Sequence, residues 1–465
     1  MKTIEVLRLL EKQCKAEVYI TGGYVRDFLR GVESKDIDVV VRNAPIETVR
    51  KFLDNYGKTT MVELSRTNDL FTVSILLFKA KDDTAEAQIT LPKAGISQTQ
   101  DKKNTLYQDS LHRDFKLNSM YLPINYTSSR DVIDFNHGRT DIRDKFISAN
   151  GNPTHRINES PIRMLRAISL ASRLRYKIDR TLFKAIKVNA VMICKCSAES
   201  VKIEFEKILM SEKPSIYLRK LYESKLLKYI CPELEECVGV TQDVRYHKYD
   251  VFSHLIYTVD NCEQNIVVRL AGLLHDIGKP AVRAEIKYAN YTKVSFHKHE
   301  LVSATIAENF LLRMKYDQKT IKQVVSLVRL HMFHYTNEWT DSAIRKFIKR
   351  VGFTKEYANK KTISTFPLFK LRSAERLGNG RKPNAISASQ KIFEKKIIEV
   401  FKNSKGFSIA DLDINGEVIM RAFKLKPGPK IGETLKFLLE NVLEKPSLNN
   451  RKDLIELTDS FLKSD

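Results

Sequence analysis

The chain has 465 residues, 43% of them hydrophobic and 29% charged, with 79 Lys and Arg against 56 Asp and Glu for a formal net charge of +23. That length exceeds a single compact core and sets an expectation of roughly two to four domains, while the excess of positive charge points to a polyanionic partner, RNA or DNA. No run approaches the roughly 18 apolar residues of a membrane span, and the acids interleaved through the first twenty positions are unlike a signal or transit peptide, so a cytoplasmic protein is expected.

Residues 1–148 mix short β-rich runs ("AEVYIT", "DIDVVV", "FTVSILLF", "RDVIDF") with helical patterns, which predicts an α+β domain with a mixed sheet. From about Glu159 the texture changes. "SPIRMLRAISLASRLRYKI", "VKIEFEKILM" and "TIAENFLLRM" repeat apolar residues at helical spacing, and the remainder is read as almost entirely helical. Proline and glycine gather at "NGNPTH", "GNGRKPN" and "KPGPKIG", which are taken as joints. The six cysteines (Cys14, Cys194, Cys196, Cys231, Cys237, Cys262) form no C-x-x-C pair and are read as reduced thiols without a metal.

In "SKDIDVVV", Asp36 and Asp38 stand two apart where the chain turns apolar. Residues at i and i+2 leave a strand on the same face, so both carboxylates enter one space. They sit at a solvated strand end, or a divalent cation lies between them. Upstream, in "TGGYVRDFLRG", Gly22 and Gly23 follow a strand and open a helix, a place where backbone N–H groups receive phosphate, and Arg26 lies one turn in. Carboxylates hold magnesium, and magnesium with arginine clamps a triphosphate for in-line attack.

Together, "GGYVRDFLRG" and "KDID" resemble the signature of the class II tRNA nucleotidyltransferases, the CCA-adding enzymes, and of the bacterial poly(A) polymerases, within the polymerase β-like superfamily. "DSLHRDFKLNSM" resembles the family's R-R-D motif, with His112 for its first arginine. "IDFNHGRTDIRD" resembles the hinge motif through Asp134, Gly138 and Asp141, and "NESPIRMLRA" the base-reading E-D-x-x-R helix. "SAESVKIEFEKIL" resembles the neck helix, with Ser200 for an arginine, and the stretch from "LDINGEVIM" through "KPGPKIG" is similar to the tail of many bacterial members.

The resemblance implies a nucleotidyltransferase head at 1–148, a helical base-reading and RNA-binding neck at 149–215, a helical HD domain at 216–385 and a tRNA-binding tail at 386–465. It implies Asp36 and Asp38 as catalytic ligands of Mg2+, and Gly23, Arg26 and Arg113 as triphosphate contacts. Asp114 and Asn118 are expected to shape that pocket. Arg163 and Arg166, three apart on one helical face, are expected to read the incoming base. Where the family has aspartate, this chain has Ser160, which removes a fixed negative acceptor and makes Glu159 the candidate substitute. A third carboxylate is sought in "AEAQITLPK", at Glu86 or with Gln88 in its place.

A second constellation follows. "FSHLIYTV" supplies His254, "LAGLLHDIGKP" His275 and Asp276, "FHKHELVSA" His297 and His299, and "VRLHMFHY" His331 and His334. One His-Asp pair is explained by a satisfied core network; a set spread over four predicted helices is better explained by metal. The spacing resembles the HD phosphohydrolase pattern, which implies His254, His275 and Asp276 as ligands, His299 and His331 completing a second site, and Glu375 where the pattern ends in aspartate. Ni2+, Co2+ or Mn2+ is the expected occupant, with a 2′,3′-cyclic phosphate or phosphomonoester as substrate.

The leading expectation is CCA addition to tRNA from CTP and ATP, without an obligate protein partner. Its competitors are a poly(A) polymerase or partial CC- or A-adding enzyme, an HD phosphohydrolase with a dead head, and a catalytically silent RNA-binding protein.

Overall fold

The computed structural model describes residues 1–34, 36–65, 72–91, 102–245, 247–288, 291–333, 335–336, 338–382, 384–403 and 407–463. The chain forms two compact units: Met1–Ile208 with Lys220–Ile230, and Leu209–Arg219 with Cys231–Asp465.

The first unit is built on a six-stranded mixed sheet of β1 (Glu17–Thr21), β2 (Asp36–Arg42), β3 (Gly57–Ser65), β4 (Thr72–Ala80), β5 (Glu86–Thr90) and β6 (Tyr121–Pro123), in the order β3-β4-β5-β2-β1-β6. Only the β2–β5 pair is parallel. The helices α1 (Thr3–Cys14), α2 (Gly23–Leu29) and α3 (Ile46–Leu53) alternate with the first strands. Val6, Leu7 and Leu10 of α1 and Val49 and Leu53 of α3 are buried with Ile37, Val39 and Val41 of β2, Leu76 and Phe78 of β4, and Ala87 and Ile89 of β5. Each such side chain contributes about 1.5–3 kcal/mol on burial. Strand alternation then sends Asp36, Asp38 and Val40 to the other face, where Val40 packs with Tyr19, Tyr121 and Leu106 of α4 (Lys102–Leu111). One face of the sheet is sealed by helices, and the other carries the acids.

Two readings of the sequence differ from this. "RDVIDF" is not a strand: Ser129–Asp131 is a 3-10 turn, and only Ile133 bridges to Tyr121. Asp131 accepts hydrogen bonds from the backbone N–H groups of Thr127 and Ser128, so turn chemistry overrides the alternation. The chain after residue 148 is also less purely helical than its periodicity suggests. β7 (Phe146–Ile147) pairs in parallel with β8 (Lys177–Ile178), and the second unit contains an antiparallel hairpin of β9 (Arg283–Tyr288) and β10 (Tyr291–Phe296).

The helices α5 (Gly138–Asp144), α6 (Pro153–Glu159), α7 (Arg163–Leu174), α8 (Arg180–Asn189) and α9 (Ala198–Leu209) complete most of the first region. Asp134 accepts from the N–H groups of Gly138 and Arg139 and so starts α5, while Asp141 holds Ser148. The short helix Leu227–Ile230 packs on the 3-10 segment Ala190–Lys195, which is why Lys220–Ile230 belongs to this unit.

In the second unit the helices Val251–Asn261, Ile266–Leu274, His299–Arg313, Gln318–Leu330 and Pro367–Gly378 pack on one another. Beside them Phe333, Phe347, Phe369 and Phe393 form an aromatic cluster that includes Trp339, the only tryptophan in the chain. Leu438, Leu439, Val442, Leu443 and Leu454 belong to a separate core farther along. Among the described residues no helix is long and apolar enough to cross a membrane.

Candidate functional site

The two acids of β2 lie at its open end, Asp36 exposed and Asp38 half-buried. Burial lifts the Asp38 carboxyl above the ordinary range, and the like charge of Asp36 adds to it; Arg113 and the Gly23 N–H pull the other way. A carboxylate pair of that kind, on one strand face with a partly desolvated member, suits a hard divalent cation with oxygen ligands. Gly22 fits this geometry in two respects. Its φ is +69°, and a Cβ there would stand 2.3 Å from Asp38 Oδ2. The glycine turn and the acid therefore share one small space.

The β2–β5 register settles which side chain of "AEAQITLPK" stands where. Asp36 pairs with Glu86 and Asp38 with Gln88 in parallel, so Glu86 shares the face of Asp36 on the neighbouring strand.

Around the acids the arginines are held, not loose. Arg26 is buried, forked onto Asp27 at 3.0 and 2.6 Å, and donates to Asn118 Oδ1 at 3.0 Å. Asn118 in turn donates to Asp114, whose other oxygen accepts from Arg166 at 3.2 Å. This relay joins the glycine turn to helix α7. Arg113 bonds Asp109 through two nitrogens at 3.1 Å, and Tyr121 donates to the same carboxylate oxygen at 2.6 Å. Asp27, Asp109 and Tyr121 were not singled out in the sequence; Asp27 adjoins Arg26 and Asp109 opens the R-R-D stretch, and adjacency was the only signal.

The base-reading segment has its own lock. Arg163 is buried and donates to Glu159 at 2.7 Å, to the Arg156 carbonyl at 2.9 Å and to the His112 carbonyl at 2.7 Å. Glu159 also pairs with Arg156 at 2.5 Å. Its two oxygens are thus committed to two arginines, which makes it a positioning group for Arg163. Ser160 stands between α6 and α7, and its carbonyl accepts from the Arg163 N–H at 3.0 Å. Ser200 is part of a start signal for α9, its N–H donating to Ser197 Oγ at 3.3 Å.

In the second unit, residues far apart in sequence converge. His254, His275 and Asp276 form one buried group of donors, and Asp276, His299 and His331 another. Nε2 of His254 and Nε2 of His275 are 3.1 Å apart, and they lie 3.5 and 3.3 Å from Asp276 Oδ2. On the other oxygen, Oδ1, His299 Nε2 stands at 2.9 Å and His331 Nε2 at 3.5 Å. Burial alone would raise the Asp276 carboxyl, but His275 and Lys279 hold it well below its usual range. Burial lowers His254 to about 3 and the half-buried His247, whose ring meets that of His254, to about 4.

Glu375 is not among the converging donors. Its carboxylate goes to Arg372 at 2.7 Å, and despite its burial Arg372 helps hold it down at about 2. The extra methylene over aspartate gives it a different partner. His297 is exposed, and His334 lies outside the described residues. Gly278 lets this segment close on its neighbour: a Cβ there would come within 2.5 Å of the Ser303 nitrogen. Lys279, absent from the sequence-based candidates, bonds Asp276 Oδ2 at 2.6 Å and Gln242 Oε1 at 2.7 Å.

Comparison with known proteins agrees with this layout. The family model for the poly(A) polymerase head domain matches residues 18–148, that for a probable RNA- and SrmB-binding site of polymerase A matches 175–238, and that for a putative tRNA nucleotidyltransferase domain 2 matches 296–458. Fold and head domain place the molecule in the class of nucleotidyltransferases built on a poly(A) polymerase head. Within that class the chain belongs to the tRNA nucleotidyltransferase family. A CCA-adding enzyme of Limosilactobacillus reuteri is 32% identical over 227 residues, 47% of this chain and 52% of the relative, so the match spans about half of that protein. One from Streptococcus mutans is 24% identical over 469 residues, 97% of this chain and 96% of the relative. The crystal structure of the Bacillus stearothermophilus CCA-adding enzyme in complex with CTP superposes with a TM-score of 0.64 at 18% identity, covering 100% of this chain and 98% of that one, a likeness of fold.

Proposed function

We propose that the first unit adds C, C and A to the 3′ end of tRNA from CTP and ATP, without a nucleic-acid template. The observation that carries this reading is the Asp36–Asp38 pair against the Gly22–Gly23 turn, with the arginine relay leading from that turn to α7. Asp36 and Asp38 hold the divalent cation, Mg2+ in this reading; when bound it supplies Lewis-acid stabilisation of charge on the transferring phosphate. The RNA 3′-hydroxyl attacks the α-phosphorus and pyrophosphate departs. Gly23, Arg26 and Arg113 receive the triphosphate. Glu86, beside Asp36, is placed to accept the proton of the attacking hydroxyl. Arg163 and Arg166 read the base, Glu159 fixing the first of them. The head occupies 1–148, the neck 149–215, the HD region 216–385 and the tail 386–465, the basic neck and tail holding the acceptor arm through phosphates and shape.

The test is primer extension on tRNA transcripts ending before CCA, after C and after CC, with each nucleotide alone and CTP with ATP. Ordered addition that stops after A is the expected result. Long A tails or CC without A would assign the chain to a poly(A) polymerase or a partial enzyme instead.

The histidine–aspartate cluster favours a second reading. We propose that the second unit binds a transition-metal dication and hydrolyses a 2′,3′-cyclic phosphate or phosphomonoester. The nitrogen-rich donor set selects Ni2+, Co2+ or Mn2+ over Mg2+, and the cations Lys279 and Arg372 suit an anionic substrate. Folded protein inactive on both substrate types with all three metals would reject this reading.

A further inference from the structure

The two halves of the histidine cluster are chemically unequal, and the inequality has a single source. The Nδ1 atoms of His275, His299 and His331 lie 2.9, 2.8 and 2.7 Å from the carbonyls of Gly272, Phe296 and Val328, each three residues earlier. A ring whose Nδ1–H is given to a carbonyl turns its Nε2 lone pair to the other side. Three such lone pairs face one carboxylate, and the Nε2 atoms of His299 and His331 are buried without a hydrogen-bond partner. Acceptors facing acceptors repel unless a cation joins them. The spacing suits one: metal–donor bonds of about 2.1 Å put neighbouring donors about 3.0 Å apart at right angles and about 3.4 Å apart in a tetrahedron. The first group has edges of 3.1, 3.5 and 3.3 Å.

What separates the halves is Lys279. Its ammonium is buried, sits on Asp276 Oδ2 at 2.6 Å, bonds Gln242 at 2.7 Å and lies 5.3 Å from the centre of the Phe296 ring. Among the described residues no lysine or arginine is ion-paired to Oδ1, the oxygen that meets His299 and His331. A dication entering at Oδ2 meets an ammonium already in place, in a site where charges are poorly screened, and must also part His254 from His275.

We propose that the cluster takes two transition-metal dications in a fixed order, the His299–His331 half first and the His254–His275 half second, with Asp276 giving one oxygen to each and Lys279 setting the order. This rests on the metal reading above and adds to it stoichiometry, sequence of loading and a positioning residue.

The test is calorimetric titration of the chelator-treated full chain with Co2+, with visible absorption to report nitrogen ligation, in an Asp36→Asn, Asp38→Asn background that silences the head. Two classes of site are expected, the second weaker by at least about tenfold. Lys279→Met should tighten the weak class about tenfold and leave the tight class unchanged, whereas Lys279→Arg should keep the gap. His331→Ala should abolish the tight class, and His254→Ala only the weak one. The histidine variants test the order even where Lys279→Met does not fold. Equal affinities in the unaltered cluster, an unmoved gap in Lys279→Met, or loss of the tight class in His254→Ala overturns the proposal while leaving a metal site. Absence of any nitrogen-ligated Co2+ overturns the metal reading itself.

Discussion

The chain carries two acid-centred sites that solve opposite problems. In the head, two carboxylates stand at the open end of a strand with water beside Asp36, and their mutual repulsion is relieved by solvent and by Arg113. In the second unit, one carboxylate is wholly enclosed, and its charge is balanced by Lys279 and four imidazoles within the protein. The open site suits a cation that arrives with its nucleotide and leaves with pyrophosphate. The closed site suits an ion retained between reactions. Exposure, more than residue type, decides whether an acidic cluster turns over its metal or keeps it.

The sharpest break between the two regions comes from removing one ligand in each. Asp36→Ala should lower nucleotide incorporation by on the order of a thousandfold or more, because charge on the transferring phosphate loses its counter-ion. His275→Ala, assayed on the same tRNA transcripts, should leave incorporation within about twofold if distant sites act independently. A large loss in both would mean that the sites are coupled.

Next in size is Gly22→Ala. The added methyl meets Asp38 Oδ2 and must adopt a positive φ, so a loss of about 1–3 kcal/mol is expected in thermal or urea unfolding of the first unit. Incorporation should fall with it; a stable, fully active variant would contradict the shared space described above.

Acid separates the regions by a different route. Between about pH 6.5 and 3 the unfolded chain binds a proton that folded His254 refuses, and His247 behaves alike down to about 4. Stability therefore falls as pH falls, by roughly 1.4 kcal/mol per pH unit for each such histidine. His331 is shifted the same way and His275 the opposite way, leaving the balance on the side of acid lability. Trp339 lies in the second unit, so its fluorescence reports that unit's melting. Its midpoint in metal-free protein should drop from pH 7 to pH 5.

The smallest effect concerns base selection. Glu159→Gln weakens the hold on Arg163, and discrimination of CTP and ATP against UTP and GTP should fall by about tenfold in kcat/KM. Ser160→Asp, which restores the family's acceptor, should raise discrimination by a similar factor; an unchanged preference would show that position 160 no longer reads the base.

Much of the head was legible because strand alternation is a short-range rule. The spacing of Asp36 and Asp38 fixes their common face, and "AEAQITLPK" reads as a strand on composition alone. Which of Glu86 or Gln88 faces Asp36 is a matter of register between strands some fifty residues apart, and no local pattern encodes it. The same limit hid Asp109 behind Arg113 and Lys279 behind Asp276, since a charge partner is chosen by the packed fold. "RDVIDF" misled because its alternation competes with an aspartate-capped turn, and the β9–β10 hairpin is a local insertion in a helical surrounding. Glu375 was placed correctly along the chain, but its direction depends on a nearby Arg372 whose pull only the structure reveals.

The chain's path between its units bears on how the molecule can be divided in the laboratory. Because Leu209–Arg219 counts with the second unit and Lys220–Ile230 with the first, no single cut separates them cleanly. A gene fragment that stops at Ile208 strands the apolar surface that Leu227 and Ile230 cover, and it should aggregate on expression. One that runs to Ile230 carries eleven passenger residues, Leu209–Arg219, whose own partners, Asp260 and Arg269, have been left behind. Swapping that excursion for a short flexible linker is the rational design for obtaining the catalytic head as a free-standing protein.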